Sequence, residues 1–289
     1  MRLALFNKGR LGLVDGDELV DVTDQFATYD PHSPTGALQQ HIEITARAGA
    51  APRVDLTACA RVPLSEATLE APLPRPGKIV GAPVNYLDHK AEMAYSTSVA
   101  DLGVFLKANS SVIGPGQDIV LPYSDKRTDQ EGELGVVIGR TACHVSVDDA
   151  LDHVFGYTCV LDITVRSGED RSTRKSFDTF TPIGPWIVTA DEIPDPDSLD
   201  LRCDVGGSTR QRTNTAHLIF GVRELIAYTS SVMTLYPGDV IATGTPAGVG
   251  PLGHGDRVVV EIERVGRLEV GVDASRATSY EQRPGRRSR

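Results

Sequence analysis

The chain is poor in cysteine, in positive charge and in long apolar runs, and each shortage removes a class of explanation. Only four of its 289 residues are cysteines. Cys59, Cys143, Cys159 and Cys203 form no CxxC pair and no Cys/His cluster. Neither a thiolate zinc site nor a disulfide scaffold is therefore expected, and reduced thiols in a cytoplasmic protein are the simplest reading. No apolar run approaches membrane-spanning length, and the opening Met1-Arg-Leu-Ala-Leu-Phe6 lacks the apolar core of a signal peptide, so no membrane partner is expected. A net charge of −10 argues against nucleic acid. Arg283, Arg286, Arg287 and Arg289 read as part of a solvated, disordered tail over 275–289. No Gly-x-Ser-x-Gly elbow supports a serine hydrolase. The glycine-rich piece Thr243-Gly-Thr-Pro-Ala-Gly-Val-Gly250 has neither the Gly-Lys-Ser/Thr ending of a phosphate loop nor the dinucleotide fingerprint. It offers backbone N–H groups and the Thr245 hydroxyl to a carboxylate, or is simply a tight turn.

What is present is mostly strand. Leu3–Phe6, Leu11–Val14 and Glu18–Val22 alternate with Asn-Lys-Gly and Asp-Gly-Asp turns and predict a β-meander. Residues Gly36–Ala50 carry Leu38, Ile42 and Ala46 at helical spacing. Ala71-Pro-Leu-Pro-Arg-Pro-Gly77 reads as a stiff connector, which divides a small N-terminal domain (1–72) from a larger one (73–274). Beyond it, strand-like runs recur up to Val272, and helices are expected only over Val147–Val154 and about Ala216–Leu235. The fold class is α+β and β-dominated, a folded-over sheet or barrel-like roll.

Two carboxylates stand two residues apart at the mouth of the apolar run Glu131-Gly-Glu133-Leu-Gly-Val-Val-Ile138. Residues i and i+2 share a face of a strand, so the pair repels itself unless a cation lies between them or water screens them at a strand edge. Asp162 sits inside a second apolar run, where a lone carboxylate needs a cation or a basic partner such as Arg166. Three carboxylates on two strands suit a hard divalent ion such as magnesium. His89 and Glu92 are three apart, which on a helical turn makes either a water-activating base or an ordinary surface pair. Lys175, in a polar loop, is either an oxyanion stabiliser or a loop charge.

In one order, these motifs resemble the fumarylacetoacetate hydrolase family. The matching pieces are Asn85-Tyr86-x-Asp88-His89-x-x-Glu92, Phe105-Leu-Lys-Ala-Asn-Ser110, Glu131-x-Glu133-Leu134, Gly156-Tyr-Thr-x-x-x-Asp162, Lys175-Ser-Phe-Asp178, Pro182-x-Gly-Pro-Trp186, Pro237-Gly-Asp239 and Thr243–Gly250. The resemblance implies the family's mixed β-sandwich roll behind a small N-terminal β-domain. It implies a magnesium or manganese ion on Glu131, Glu133 and Asp162, a water-activating His89–Glu92 dyad and a substrate-facing Lys175. It further implies substrate contacts from Thr245, Arg166 and Tyr86, and a homodimer. Two features depart from the pattern. Ile79–Leu87 lacks the fourth metal-binding acid of the founding enzyme, which places the chain with the smaller acylpyruvate-type members. Val205-Gly-Gly-Ser-Thr-Arg-Gln211 replaces an Asn-Gly-Glu turn, which reads as a loss in a hairpin and not in the chemistry. The implied activity is hydrolysis of a C–C bond in a 2,4-dioxo acid of the acylpyruvate or fumarylpyruvate type, as in aromatic catabolism. The rivals are decarboxylation, hydration or isomerisation of a related 2-oxo acid such as oxaloacetate, and non-catalytic binding on the same fold. Ala94–Asp101, small and polar beside the dyad, is a candidate lid.

Overall fold

The alternation of side chains along the strand Gly132–Ile138 organises the molecule. Leu134, Val136 and Ile138 point into one core and Val137 into another, and every residue of the strand is buried. The computed structural model describes residues 1–25, 33, 35–49, 54–94 and 96–285. Within them a 12-stranded sheet has Gly132–Ile138 near its middle, between Val154–Leu161 and Val240–Ala242. A five-stranded sheet, ordered Ser208–Asn214, Asp200–Val205, Arg257–Ile262, Gly266–Asp273 and Asp118–Val120, covers one face. There Leu134, Tyr157 and Cys159 pack with Leu201, Cys203, Val260 and Leu268. The opposite face carries Val137, Val160 and Ile187 against Leu3, Leu5, Leu38 and Ile42. This is a mixed β-roll with two large cores, a small third one around Ala4, Phe6 and Leu19, and few helices, as the patterning predicts.

The proline connector does not interrupt the main sheet. Arg2–Phe6 pairs antiparallel with Thr181–Thr189, Leu3 opposite Ile187, so the N-terminal meander extends the sheet of the larger region. Gln39, on the helix Gly36–Ala48, donates to the Pro237 carbonyl at 2.8 Å. Gly238, at φ 86°, leaves room for it, since a Cβ there would fall 1.7 Å from the Gln39 amide. That helix ends as its sequence asks, with Gly49 left-handed at φ 73°. Leu38 and Ile42, one turn apart, are fully buried, which is worth on the order of 1.5–3 kcal/mol each.

Three expectations are corrected. Val147–Val154 contains only a 3₁₀ turn at Ala150–His153, because Val154 is recruited into the sheet opposite Ile138. The late helix is confined to Val222–Val232: Asp197 accepts the Val222 N–H at 2.8 Å and starts it after Gly221, and Met233 is already extended. The tail is not solvated from residue 275. Tyr280 donates from its hydroxyl to Glu169 at 2.5 Å and stacks edge-on against Tyr123, and Arg283 reaches the same Glu169 carboxylate at 2.9 Å. Arg286, Arg287 and Arg289 lie outside the described residues, as does Tyr95 of the candidate lid. Within that segment Val99 is fully buried, and Ser98 with Asp101 forms a capping box for the short helix Val99–Leu102.

The helix Gly36–Ala48 also makes a stability prediction. Burial pushes the His41 imidazole from its ordinary 6.5 down to about 4, against Phe155. Between those values the unfolded chain binds the extra proton and the folded chain does not. This contribution is therefore intact above about pH 6.5 and lost as pH falls toward 4. The interval corresponds to roughly 3 kcal/mol. Urea denaturation at pH 7 and 4.5 should show that loss in the native chain and a much smaller one in His41→Leu; equal acid sensitivity would contradict it.

Candidate active site

Strand register brings the three carboxylates together. Gly132 pairs with Leu161 and Glu133 with Val160, so Glu131 and Asp162 emerge side by side from the ends of neighbouring strands. The Asp162 N–H donates to the Glu131 carbonyl at 2.8 Å. Asp162 is not in mid-strand as its apolar flanks suggested: the strand stops at Leu161 and resumes at Thr164, which turns the side chain inward. One carboxylate oxygen from each of Glu131, Glu133 and Asp162 lies within 4.8 Å of the others, and all three side chains are buried.

The cations around this triad are unevenly shared. Lys175 donates to Glu131 (2.7 Å), Asp162 (2.5 Å) and the Thr164 hydroxyl (2.7 Å). Lys107, fully buried, donates to Asp162 at 2.5 Å and to the Phe180 carbonyl at 2.8 Å. Arg166 turns away from Asp162 and binds Asp129 at 2.7 Å and Glu131 at 2.8 Å, so its place as a partner of Asp162 is taken by two lysines. Burial works against the Glu131 carboxylate, yet Lys175 and Arg166 hold it well below the usual range. Glu133 has no such cation among the described residues, only the Gly244 N–H at 2.7 Å. Burial, reinforced by the Asp162 and Glu131 charges, pushes its carboxyl well above the ordinary value. Burial pulls Lys107 down despite Asp162, whereas Asp162 and Glu131 outweigh burial at Lys175 and raise it. A triad of hard oxygen donors with one uncompensated carboxylate fits a divalent cation of the magnesium or manganese type.

The glycine-rich segment serves the protein's own carboxylates. Gly244 N–H caps Glu133, and Gly248 N–H donates at 3.0 Å to Glu92. Gly244 sits at φ 97° with Asn85 2.7 Å from where a Cβ would be, so only glycine brings its N–H to Glu133. The other Glu92 oxygen meets His89 Nδ1 at 3.2 Å across one turn of the helix Leu87–Glu92. With Nδ1 engaged, His89 is oriented to present Nε2, and its ring lines the cleft that holds the triad. Thr245 lines it too, but its hydroxyl is committed: it donates to the Gly132 carbonyl at 3.0 Å and accepts from Gln211 at 2.7 Å.

One cleft gathers most of the residues that the sequence singles out. Glu131, Glu133, Asp162, His89, Lys175, Thr245 and Arg166 all line it. Tyr86 does not. It stands in extended backbone just before the helix, bridged to Leu218, with its ring fully buried and its hydroxyl without a hydrogen-bond partner among the described residues. Burial foremost, then the Glu133 charge, raises that phenol. Three contributors escaped sequence reasoning. Lys107 lay inside a quoted motif, but nothing in Phe105-Leu-Lys107 signals that it turns inward. Asp129, fully buried between Arg127 and Arg166, lay two residues before the pair. Gln211 belongs to the hairpin first read as a loss; its amide accepts the Gly132 N–H at 2.9 Å and donates to Thr245, so this strand of the second sheet braces the site.

Residues 78–273 match the family model described as "Fumarylacetoacetate (FAA) hydrolase C-terminal". The chain belongs to this family. Relatives include the maleylpyruvate hydrolase of Aquipseudomonas alcaligenes, 40% identical over 295 residues (94% of this chain and 99% of the relative). The human mitochondrial oxaloacetate tautomerase FAHD2A is 41% identical over 218 residues, covering 71% of this chain and 69% of that protein. Among solved structures, the maleylpyruvate hydrolase of Sphingobium sp. SYK-6 in complex with manganese(II) ion and pyruvate superposes with a TM-score of 0.82 at 40% identity, covering 96% of this chain and 100% of that one.

Proposed function

We propose that this family member is a divalent-metal-dependent hydrolase that cleaves a C–C bond in a 2,4-dioxo acid of the acylpyruvate or fumarylpyruvate type. The observation that carries the reading is the oriented His89–Glu92 dyad on the wall of the cleft that also contains the carboxylate triad and Lys175. Near full-length similarity to a maleylpyruvate hydrolase supports it, as does the manganese and pyruvate in the similar solved structure. Glu131, Glu133 and Asp162 would hold one magnesium or manganese ion. When bound, the ion supplies Lewis acidity toward the oxygens of a 2-oxo acid.

The chain's own residues do the rest. His89 Nε2 accepts a proton from water while Glu92 fixes the ring through Nδ1. The water oxygen adds to the carbonyl distal to the 2-oxo acid. The bond between that carbon and the neighbouring methylene then breaks, giving a carboxylic acid and the enolate of pyruvate, and a proton delivered to carbon completes pyruvate. Lys175, whose three N–H groups are held here by Glu131, Asp162 and Thr164, would exchange one of them for the oxygen on which negative charge grows. Arg166 and Thr245 complete the wall that positions the acid. The tautomerase relative supports a second reading, proton transfer on a 2-oxo acid such as oxaloacetate without bond cleavage.

Product analysis in ¹⁸O-labelled water separates the two. With a 2,4-dioxo acid and manganese, hydrolysis gives pyruvate and one labelled oxygen in the carboxylic acid co-product. Keto–enol interconversion with no pyruvate would replace the hydrolase reading by the tautomerase one. A cytoplasmic location, a homodimer and a role in aromatic catabolism belong to the same proposal. No described helix is long and apolar enough to cross a membrane.

A further inference from the structure

The His89–Glu92 pair needs more than its own contact to stay formed. It spans one turn of the short helix Leu87–Glu92 at 3.2 Å, and the Glu92 side chain is 33% exposed. An i,i+3 pair in such a setting contributes little by itself, and Glu92 closes the helix, where the dipole disfavours a carboxylate. A third group separates this pair from an ordinary surface contact. The Gly248 N–H donates at 3.0 Å to the Glu92 oxygen that His89 does not use.

Gly248 is in turn placed by a buried glutamine. Gln130 is fully buried and stands outside the lining of the cleft. Its Nε2 donates to the Gly248 carbonyl at 3.0 Å, and its Oε1 accepts the Gly250 N–H at 3.1 Å. An amide so buried has to satisfy both its donor and its acceptor, and here both go to one loop. The grip follows from the register, since strand Thr128–Gln130 runs antiparallel to Gly250–Pro251 with Gln130 opposite Gly250. On the other side of Gly248, Gln211 donates to the Pro246 carbonyl at 2.9 Å, so the loop is tied before and after the residue that meets Glu92. Side-chain alternation keeps this grip apart from the carboxylate triad. Asp129 and Glu131, the two neighbours of Gln130, both turn to Arg166, while Gln130 turns to the loop.

We propose that Gln130 is a positioning residue for the base: by fixing Gly248 it holds the Glu92 carboxylate against Nδ1 of His89 and keeps Nε2 toward the cleft. The hydrogen bonds run from Gln130 to Gly248, from Gly248 to Glu92 and from Glu92 to His89, and none of these links involves Glu131, Glu133 or Asp162. This assignment rests on the reaction proposed above only in taking His89 as its base, since the state of the ring is measurable without turnover.

The test is ¹⁵N NMR of the His89 ring in the magnesium-loaded protein in alkaline buffer, with His89→Ala identifying its signals. In the native chain the Nδ1–H tautomer should predominate by about tenfold or more, because Glu92 accepts that proton. Gln130→Met keeps the volume and removes both amide bonds, and the predominance should fall to about twofold. Gln130→Glu, which keeps an acceptor for Gly250 and loses the donor to Gly248, should shift the ratio the same way. Thermal melting of each variant reports its folding. In Gln130→Met, kcat for a 2,4-dioxo acid should fall about tenfold while manganese affinity stays within about threefold of native. In a Glu92→Ala background the same substitution should change kcat by less than about twofold, as expected of a residue that acts through Glu92. A purely structural role would lower kcat by the same factor in both backgrounds. An unchanged tautomer ratio in a folded variant, an undiminished effect in the absence of Glu92, or a loss of manganese affinity that matches the loss of turnover overturns the proposal. If the tautomer ratio responds as expected but the native chain releases pyruvate from no dioxo acid, the hydrolase reading fails and the placement of the dyad by Gln130 stands.

Discussion

Glu133→Gln is expected to weaken manganese binding by at least about 100-fold and to remove activity with it, while making the metal-free protein more stable at neutral pH. The two effects have one cause. Among the three clustered carboxylates, Glu131 and Asp162 each have a lysine and Glu133 has a single N–H donor. In the metal-free chain burial therefore raises the Glu133 carboxyl well above its ordinary value. The sign follows from linkage: the folded state binds the proton more tightly than the unfolded state. Its contribution is fully present below the unfolded value near 4.5 and is lost as pH rises through the folded value. Glutamine keeps the shape and carries no charge, so it abolishes that loss, a gain on the order of 1–3 kcal/mol at neutral pH. The same proton competes with the cation, so manganese affinity in the native chain should rise with pH and its binding should release a proton. Calorimetric titration of manganese in buffers of different ionisation enthalpy counts that proton, and denaturation with and without metal reads the stability. A variant that binds manganese as tightly as the native chain would contradict the assignment of the triad.

His89→Ala is expected to lower kcat by about 10²–10⁴-fold while manganese binding stays within about tenfold of the native chain. His89 lines the cleft without belonging to the triad, and Glu92 binds its Nδ1 from behind. Its removal takes away the proposed base for the water proton and leaves the three carboxylates and their lysines in place. Loss of metal with loss of turnover would make His89 a structural support of the triad instead. Retained turnover would move the base to another residue.

The parts of this site that a sequence shows are those fixed by local spacing. Glu131 and Glu133 share a face because a strand repeats every two residues, and His89 and Glu92 meet because a helical turn brings i and i+3 together. The order of motifs then points to the family, and the roll with cores on both faces of its sheet follows from period-two alternation such as that of Leu134, Val136 and Ile138 against Val137. What was not legible is set by long-range packing. Lys107 reaches Asp162 from a strand at the far end of the sheet order, and Gln211 reaches Gly132 from the second sheet. Neither residue has a neighbour in sequence that announces such a partner. That Tyr86 lies off the cleft wall was not legible for the related reason that a motif position does not say which way a ring turns. The 3₁₀ turn at Ala150–His153 shows tertiary pairing overriding local helix preference, and the docked Tyr280 and Arg283 show a polar segment ordered by one carboxylate, Glu169.

The central claim is that C–C cleavage at this site depends on one divalent ion held by Glu131, Glu133 and Asp162. Pyruvate release from a 2,4-dioxo acid should be followed in protein stripped by a chelator, verified free of metal, and then titrated with manganese. Release should be absent at the start and should rise to a plateau at one ion per chain. Undiminished release from the metal-free protein would contradict the account.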